Sequence, residues 1–219
     1  MSKVRDFMSG LTHCIGASLS LVGLVILIIY AAINGDAFDV VSFTLFGTGL
    51  LLFYLFSTLY HWLNIKEKSL NIFKKFNHIT IYLLIATTFT PICLGPLRGP
   101  WGWSIFGVIW GFTVLGITFS AIWTKIPRAI TLILSLLIGL LILITIDPLI
   151  HTYRQMNLLY SLWWLFVGFI FHTISGIFYA LKMPKKHFKL FSCHEFSHIL
   201  IMFGSFFQYW FILNYVTMF

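Results

Sequence analysis

The sequence predicts an all-α polytopic membrane protein, a bundle of seven transmembrane helices, and three observations carry the prediction. Of 219 residues, 59% are apolar and only 9% charged, against roughly 45–50% and 25% in a soluble domain. The mean hydropathy is +0.95. With 24 Phe and 8 Trp, more apolar side chain is present than one core can bury, so the surplus must face hydrocarbon. The apolar runs exceed about 18 residues, a helix signature, whereas β-barrel strands read as ~10-residue alternating segments. A soluble globule is excluded. A nucleic-acid partner is not expected either, because the cations behind the net charge of +8 lie between the apolar runs rather than on one polar face.

The first run, 11–33, is about twice the 7–15-residue apolar core of a signal peptide, and more spans follow it, so it stands as a helix rather than a leader. The others fall at 38–62, 78–97, 101–123, 128–147, 157–181 and 191–217, each near the ~20 residues a bilayer crossing needs. In the third, Pro91 is expected to kink the helix and free a carbonyl for the hydroxyl of Thr87, Thr88 or Thr90. In the fourth, Gly107 and Gly111 make a GxxxG pair, read as internal close packing ahead of a dimer seam. The links are short, the longest being 65–77, so residues 1–219 are read as a single seven-helix domain.

An odd number of spans puts the termini on opposite faces. With the N-terminus in the cytoplasm, Lys3, Arg5, Lys66, Lys68, Lys74, Lys75, Lys125, Arg128, Lys182, Lys185, Lys186 and Lys189 lie inside, leaving Arg98 and Arg154 outside. That asymmetry predicts a multi-pass protein of the cell (inner) membrane, N-terminus in and C-terminus out, with Asp36, Asp39 and Asp147 in outer loops. Cys14 and Cys193 then sit at cytoplasmic ends and Cys93 toward the far side, so no disulfide is expected.

Ionisable groups at membrane depth are costly and ask for a partner or a purpose. The second span ends at Ser57 to His61, the third begins at Asn77 and His78, and the seventh begins at Cys193 to His198, all in one leaflet. His194 and His198 are four apart on a helix, which stacks both imidazoles on one face at a chelating spacing. A third nitrogen from His61 would complete the three-ligand, open-position pattern of catalytic zinc. His13, His78 and His172 are spare candidates in the same half, His172 foremost among them. His151 and His187 are placed in solvated loops. Ser57, one turn deeper than His61, is placed to bond a water, a substrate carbonyl or its own helix.

Three motifs in order, Ser57-Thr-Leu-Tyr-His61, Asn77-His78 running to Pro91, and His194-Glu-Phe-Ser-His198, together with Thr12-His13-Cys-Ile-Gly16, resemble the bacterial hemolysin III family. That family belongs with the progestin and adiponectin receptors and is similar to the alkaline ceramidases. The resemblance implies seven helices, an inward N-terminus and Zn2+ held by His61, His194 and His198 near the cytoplasmic face, with Ser57 close by. The family usually has Asp where this chain has Asn77, and that carboxylate is thought to activate the attacking water. An amide has no useful basicity and can only orient water, so general-base hydrolysis through position 77 is weakened.

Three function classes follow. The first is a zinc-dependent hydrolase of a membrane lipid, acting on an amide bond, with Ser57 and Asn77 in the catalytic set and Glu195 and His78 beside the ligands. The second is a non-catalytic sensor of membrane-lipid state in which zinc staples helices together. The third is a pore, disfavoured because no charge-lined path crosses the bundle. His194-Glu195-x-x-His198 also matches the HExxH of zinc proteases, but no Asp, Glu, His or Cys follows His198 to supply a later ligand. The roughly 100° offset of Glu195 from His194 also argues against direct ligation by that carboxylate. Oligomeric state leaves no signal in the sequence. A wall of Phe206, Phe207 and Phe211 is open to two readings, an acyl pocket or a lipid-facing surface.

Overall fold

Backbone polar groups find no partner in hydrocarbon, so a chain this apolar must satisfy them within helices. The computed structural model describes residues 5–123, 128–181 and 193–219, apart from the side chains at positions 128, 129, 132, 180, 193 and 194. Its elements are α1 (Phe7–Asn34), α2 (Ala37–Trp62), α3 (Glu67–Leu94), α4 (Pro100–Ile122), α5 (Arg128–Gly139), α6 (Ile142–Gln155), a 3-10 turn (Leu159–Ser161), α7 (Leu162–Leu181) and α8 (Cys193–Tyr215). Among the described residues, seven helical stretches are long and apolar enough to cross a membrane, the fifth being Ile133–Gln155.

Local chemistry explains where the helices begin. Asp36 caps α2 by accepting from the amides of Phe38 and Asp39, while the Asp39 carboxylate accepts from the Asp36 amide at 2.9 Å, a reciprocal capping box. Arg98, on the α3–α4 link, pairs with Asp36 and lies 3.9 Å over the Phe38 ring. Its guanidinium holds the Asp36 carboxyl below the ordinary carboxylate range. The turn into α4 depends on Gly99, whose φ of +136° suits a residue without Cβ, followed by Pro100 in the first helical turn.

Several boundaries differ from the sequence expectation. Helix α3 starts at Glu67, eleven residues before the expected 78, so most of the link at 65–77 is helical. Glu and Lys are good helix formers and Glu67 complements the N-terminal dipole. Lys75 also donates to the Ala121 carbonyl near the end of α4 at 2.6 Å. The fifth span is displaced toward the C-terminus: the helix breaks after Gly139, and α6 carries Asp147, Pro148 and His151 within it. Asp147 is thus helical rather than in a loop, and His151 is an exposed helical residue. Pro91 is contained in α3. The hydroxyls of Thr87, Thr88 and Thr90 donate to the carbonyls of Leu83, Leu84 and Ala86 rather than to that of Thr87, the one left without an i+4 donor.

The bundle is wound from neighbours in sequence: α1 packs on α2, α2 on α3, α3 on α4 and α7 on α8, and α8 returns to touch α1. Helix α3 lies deepest and supplies the fully buried Tyr82, Phe89 and Ile92. Helix α4 buries Gly102, Ile105, Ile109, Thr113 and Gly116, a helical stripe that leaves Gly107 and Gly111 outside. Both of these are exposed, and a Cβ built on either would meet nothing within 4 Å. The expected internal GxxxG contact is therefore overturned, because the pair lies off the inward stripe. Gly102 is the close approach instead: a Cβ there would fall 2.3 Å from the Cys93 carbonyl oxygen and 2.4 Å from that of Leu97. Backbone cannot step aside, so Gly102→Ala is expected to cost at least about 1–3 kcal/mol. Gly107→Ala should be silent, and thermal unfolding in detergent compares the two.

Candidate metal centre

Three inward helix faces converge at the end of the bundle where α1 begins. Helix α1 buries Ser9, Gly10, Thr12, His13 and Gly16. Helix α2 buries Phe53, Tyr54, Ser57 and His61, and α8 buries Glu195, Ser197 and His198. The spacing of three and four is that of one helical face each.

His13, His61 and His198 are 4%, 5% and 4% exposed, and one ligand nitrogen from each lies within 4.8 Å of the other two. The His13 ring centroid is 3.9 Å from that of His198 and 5.7 Å from that of His61, nearly parallel to it at 14°. The His61 and His198 centroids are 5.5 Å apart. Three buried imidazoles so close cannot all carry charge without severe repulsion, whereas neutral imidazoles are good ligands for a borderline cation. The donor set, three nitrogens on three helices, is of a kind that fits zinc.

His13 reaches this group because two glycines let α1 come close to α2. A Cβ on Gly10 would fall 1.9 Å from the Trp62 ring, and one on Gly16 would fall 2.5 Å from Tyr54. They flank His13 by three residues on either side. That Gly-x-x-His-x-x-Gly spacing is the sequence signal that could have promoted His13 from a spare candidate to a member of the group.

Polar contacts from α1 surround the group. Ser9 Oγ donates to Glu195 Oε1 at 2.9 Å. Thr12 Oγ1 lies 3.0 Å from His198 Nδ1 and 2.9 Å from the Ser9 carbonyl oxygen. Asp6 Oδ2 lies 3.3 Å from His61 Nδ1, and the Asp6 amide donates to the His61 carbonyl at 3.1 Å. Arg5 donates to the Tyr60 carbonyl and sits 4.3 Å over the Tyr60 ring. The N-terminal segment is thus tied to the last turn of α2.

The other expected site residues are distributed around the triad. Ser57 is buried and donates to Asn77 Oδ1 at 2.5 Å. His78 Nδ1 is 2.8 Å from Thr131 Oγ1. Glu195 is buried against Ser9 rather than grouped with the imidazoles. His172 Nδ1 donates to the Gly168 carbonyl at 2.9 Å, and the ring stays outside the group. The side chain of His194 lies outside the described residues, as does His187.

Beside the triad, a cavity of about 680 Å³ runs into the bundle. At the triad end it is lined by Ser57, Asn77, His78 and Thr131, and farther in by Phe53, Ile81, Leu84, Phe169 and Ile201. Its wall is mainly apolar, with Thr88 and Gln208 also lining it. None of Phe206, Phe207 and Phe211 lines it: Phe206 is exposed and Phe211 is in the core.

Comparison with known proteins adds the family context. The family model described as Haemolysin-III related matches residues 1–209. The chain is 36% identical over 211 residues to "Hemolysin-3 homolog" of Bacillus subtilis (strain 168), covering 96% of this chain and 94% of that protein. It is 35% identical over 213 residues to "Hemolysin-3" of Bacillus cereus, covering 97% and 92%.

Proposed function

We propose, from the premise that the chain belongs to the haemolysin-III-related family, that it is an attenuated zinc-dependent hydrolase of amide-linked membrane lipids. The chain is a multi-pass membrane protein, and its bacterial relatives place it in the cell membrane. In this reading the N-terminus and the triad face the cytoplasm, as the distribution of Lys and Arg favours. The observation that carries the proposal is the placing of three buried imidazoles at the polar end of an apolar cavity.

The metal would be held by His13, His61 and His198, and when bound it would supply Lewis acidity and a nucleophile active near neutral pH. The chain's own residues do the rest. The lipid tail enters among Phe53, Ile81 and Phe169, which exclude water and fix the depth of the scissile bond. Ser57 directs its hydroxyl at Asn77 Oδ1, which orients the amide at the site. With that oxygen engaged, the Asn77 NH2 is the group left to donate to a substrate carbonyl or a developing oxyanion. Neither Ser57 nor Asn77 takes a proton at neutral pH, and this is the source of the attenuation.

The same observation at Asn77 favours a second reading, a sensor that binds lipid in this cavity without cleaving it. Elemental analysis of the purified protein tests what both share. About one zinc per chain is expected for a single site of this donor set, and a chain purified without metal that also takes none up on titration removes both readings.

A further inference from the structure

The hydroxyl of Thr12 stands between the Ser9 carbonyl and the His198 ring. With its one proton given to the Ser9 carbonyl oxygen at 2.9 Å, the Thr12 hydroxyl keeps a lone pair for a donor on its other side. The Thr12 oxygen is then an acceptor toward His198 Nδ1 at 3.0 Å. A neutral imidazole donating from Nδ1 keeps its lone pair on Nε2. On the other side of the group, the Asp6 carboxylate stands 3.3 Å from His61 Nδ1. Both partners come from the start of α1, which the glycine approaches described above press against α2.

We propose that Thr12 is a positioning residue for the metal site: it holds the Nδ1 proton of His198 so that Nε2 is presented to the cation before the cation arrives. The inference rests on the metal-binding reading above and adds to it a residue that is not itself a ligand. A ligand imidazole left to choose its own tautomer and ring orientation loses affinity, and such outer partners are worth about 10–100-fold.

The test uses the full-length protein in detergent, stripped of metal and titrated with zinc against a chromophoric chelator and with cobalt(II) by visible absorption. Thr12→Val keeps the shape and removes the acceptor, so zinc affinity should fall by about 10–100-fold and the cobalt ligand-field bands should shift or weaken. Thr12→Ser restores the acceptor and should restore both. Apo-protein unfolding temperature, measured alongside, should be nearly equal in the three proteins. Wild-type affinity and spectrum in Thr12→Val overturn this inference and leave the metal site standing. A wild-type protein that binds neither metal overturns the metal site itself, and this inference with it.

Discussion

Replacing His61 with alanine is expected to abolish stoichiometric zinc. His61 is 5% exposed at the last turn of α2, and it alone brings that helix to the group. Among the described residues, removing it leaves one imidazole on α1 and one on α8, and two nitrogens from neighbouring helices do not make a closed or a catalytic zinc site. Since partners that only orient a ligand are worth about 10–100-fold, loss of a ligand should exceed a hundredfold in affinity. His172→Ala is the control: the His172 ring is tied to the Gly168 carbonyl and stands outside the triad, so zinc content should be unchanged. Metal analysis of the two purified variants reads the difference directly. Full zinc in His61→Ala would show that the ion is held elsewhere.

The second large effect is a gain. Asn77→Asp should raise hydrolysis of an N-acyl lipid by about 10²–10⁴-fold, the range over which a positioned general base acts. The geometry is already in place: Ser57 donates to the position-77 side chain at 2.5 Å, and a carboxylate would accept that bond while adding the basicity an amide lacks. The measurement is release of a fluorescent acyl chain in mixed micelles at matched zinc loading. A gain in the Asp variant identifies chemistry disabled at one atom. Equal, vanishing turnover in both proteins, with lipid still bound, identifies the sensor reading instead.

The site was partly legible in the sequence. Ser57, His61, Asn77, His78 and His198 all attract notice as polar groups at helix ends in an apolar chain, and all line one cavity. His13 was legible as a spare histidine beside His172 and within the Thr12-His13 motif, and in the linear pattern only the flanking Gly10 and Gly16 separate the two. Both are single histidines on apolar helices. The difference is interhelical: two glycines admit α1 to the site, whereas the ring of His172 packs against Gly204 and bonds within its own helix.

The sequence by itself determined that this protein is a seven-span membrane bundle. Span length and hydrophobicity are set by bilayer thickness and by the cost of exposed peptide groups in hydrocarbon, and neither depends on which helix touches which. Only the tertiary structure decided which glycines are contacts, where the fifth span lies, and which imidazoles meet. Those depend on helix separations and rotations, which arise from packing among residues far apart in the chain.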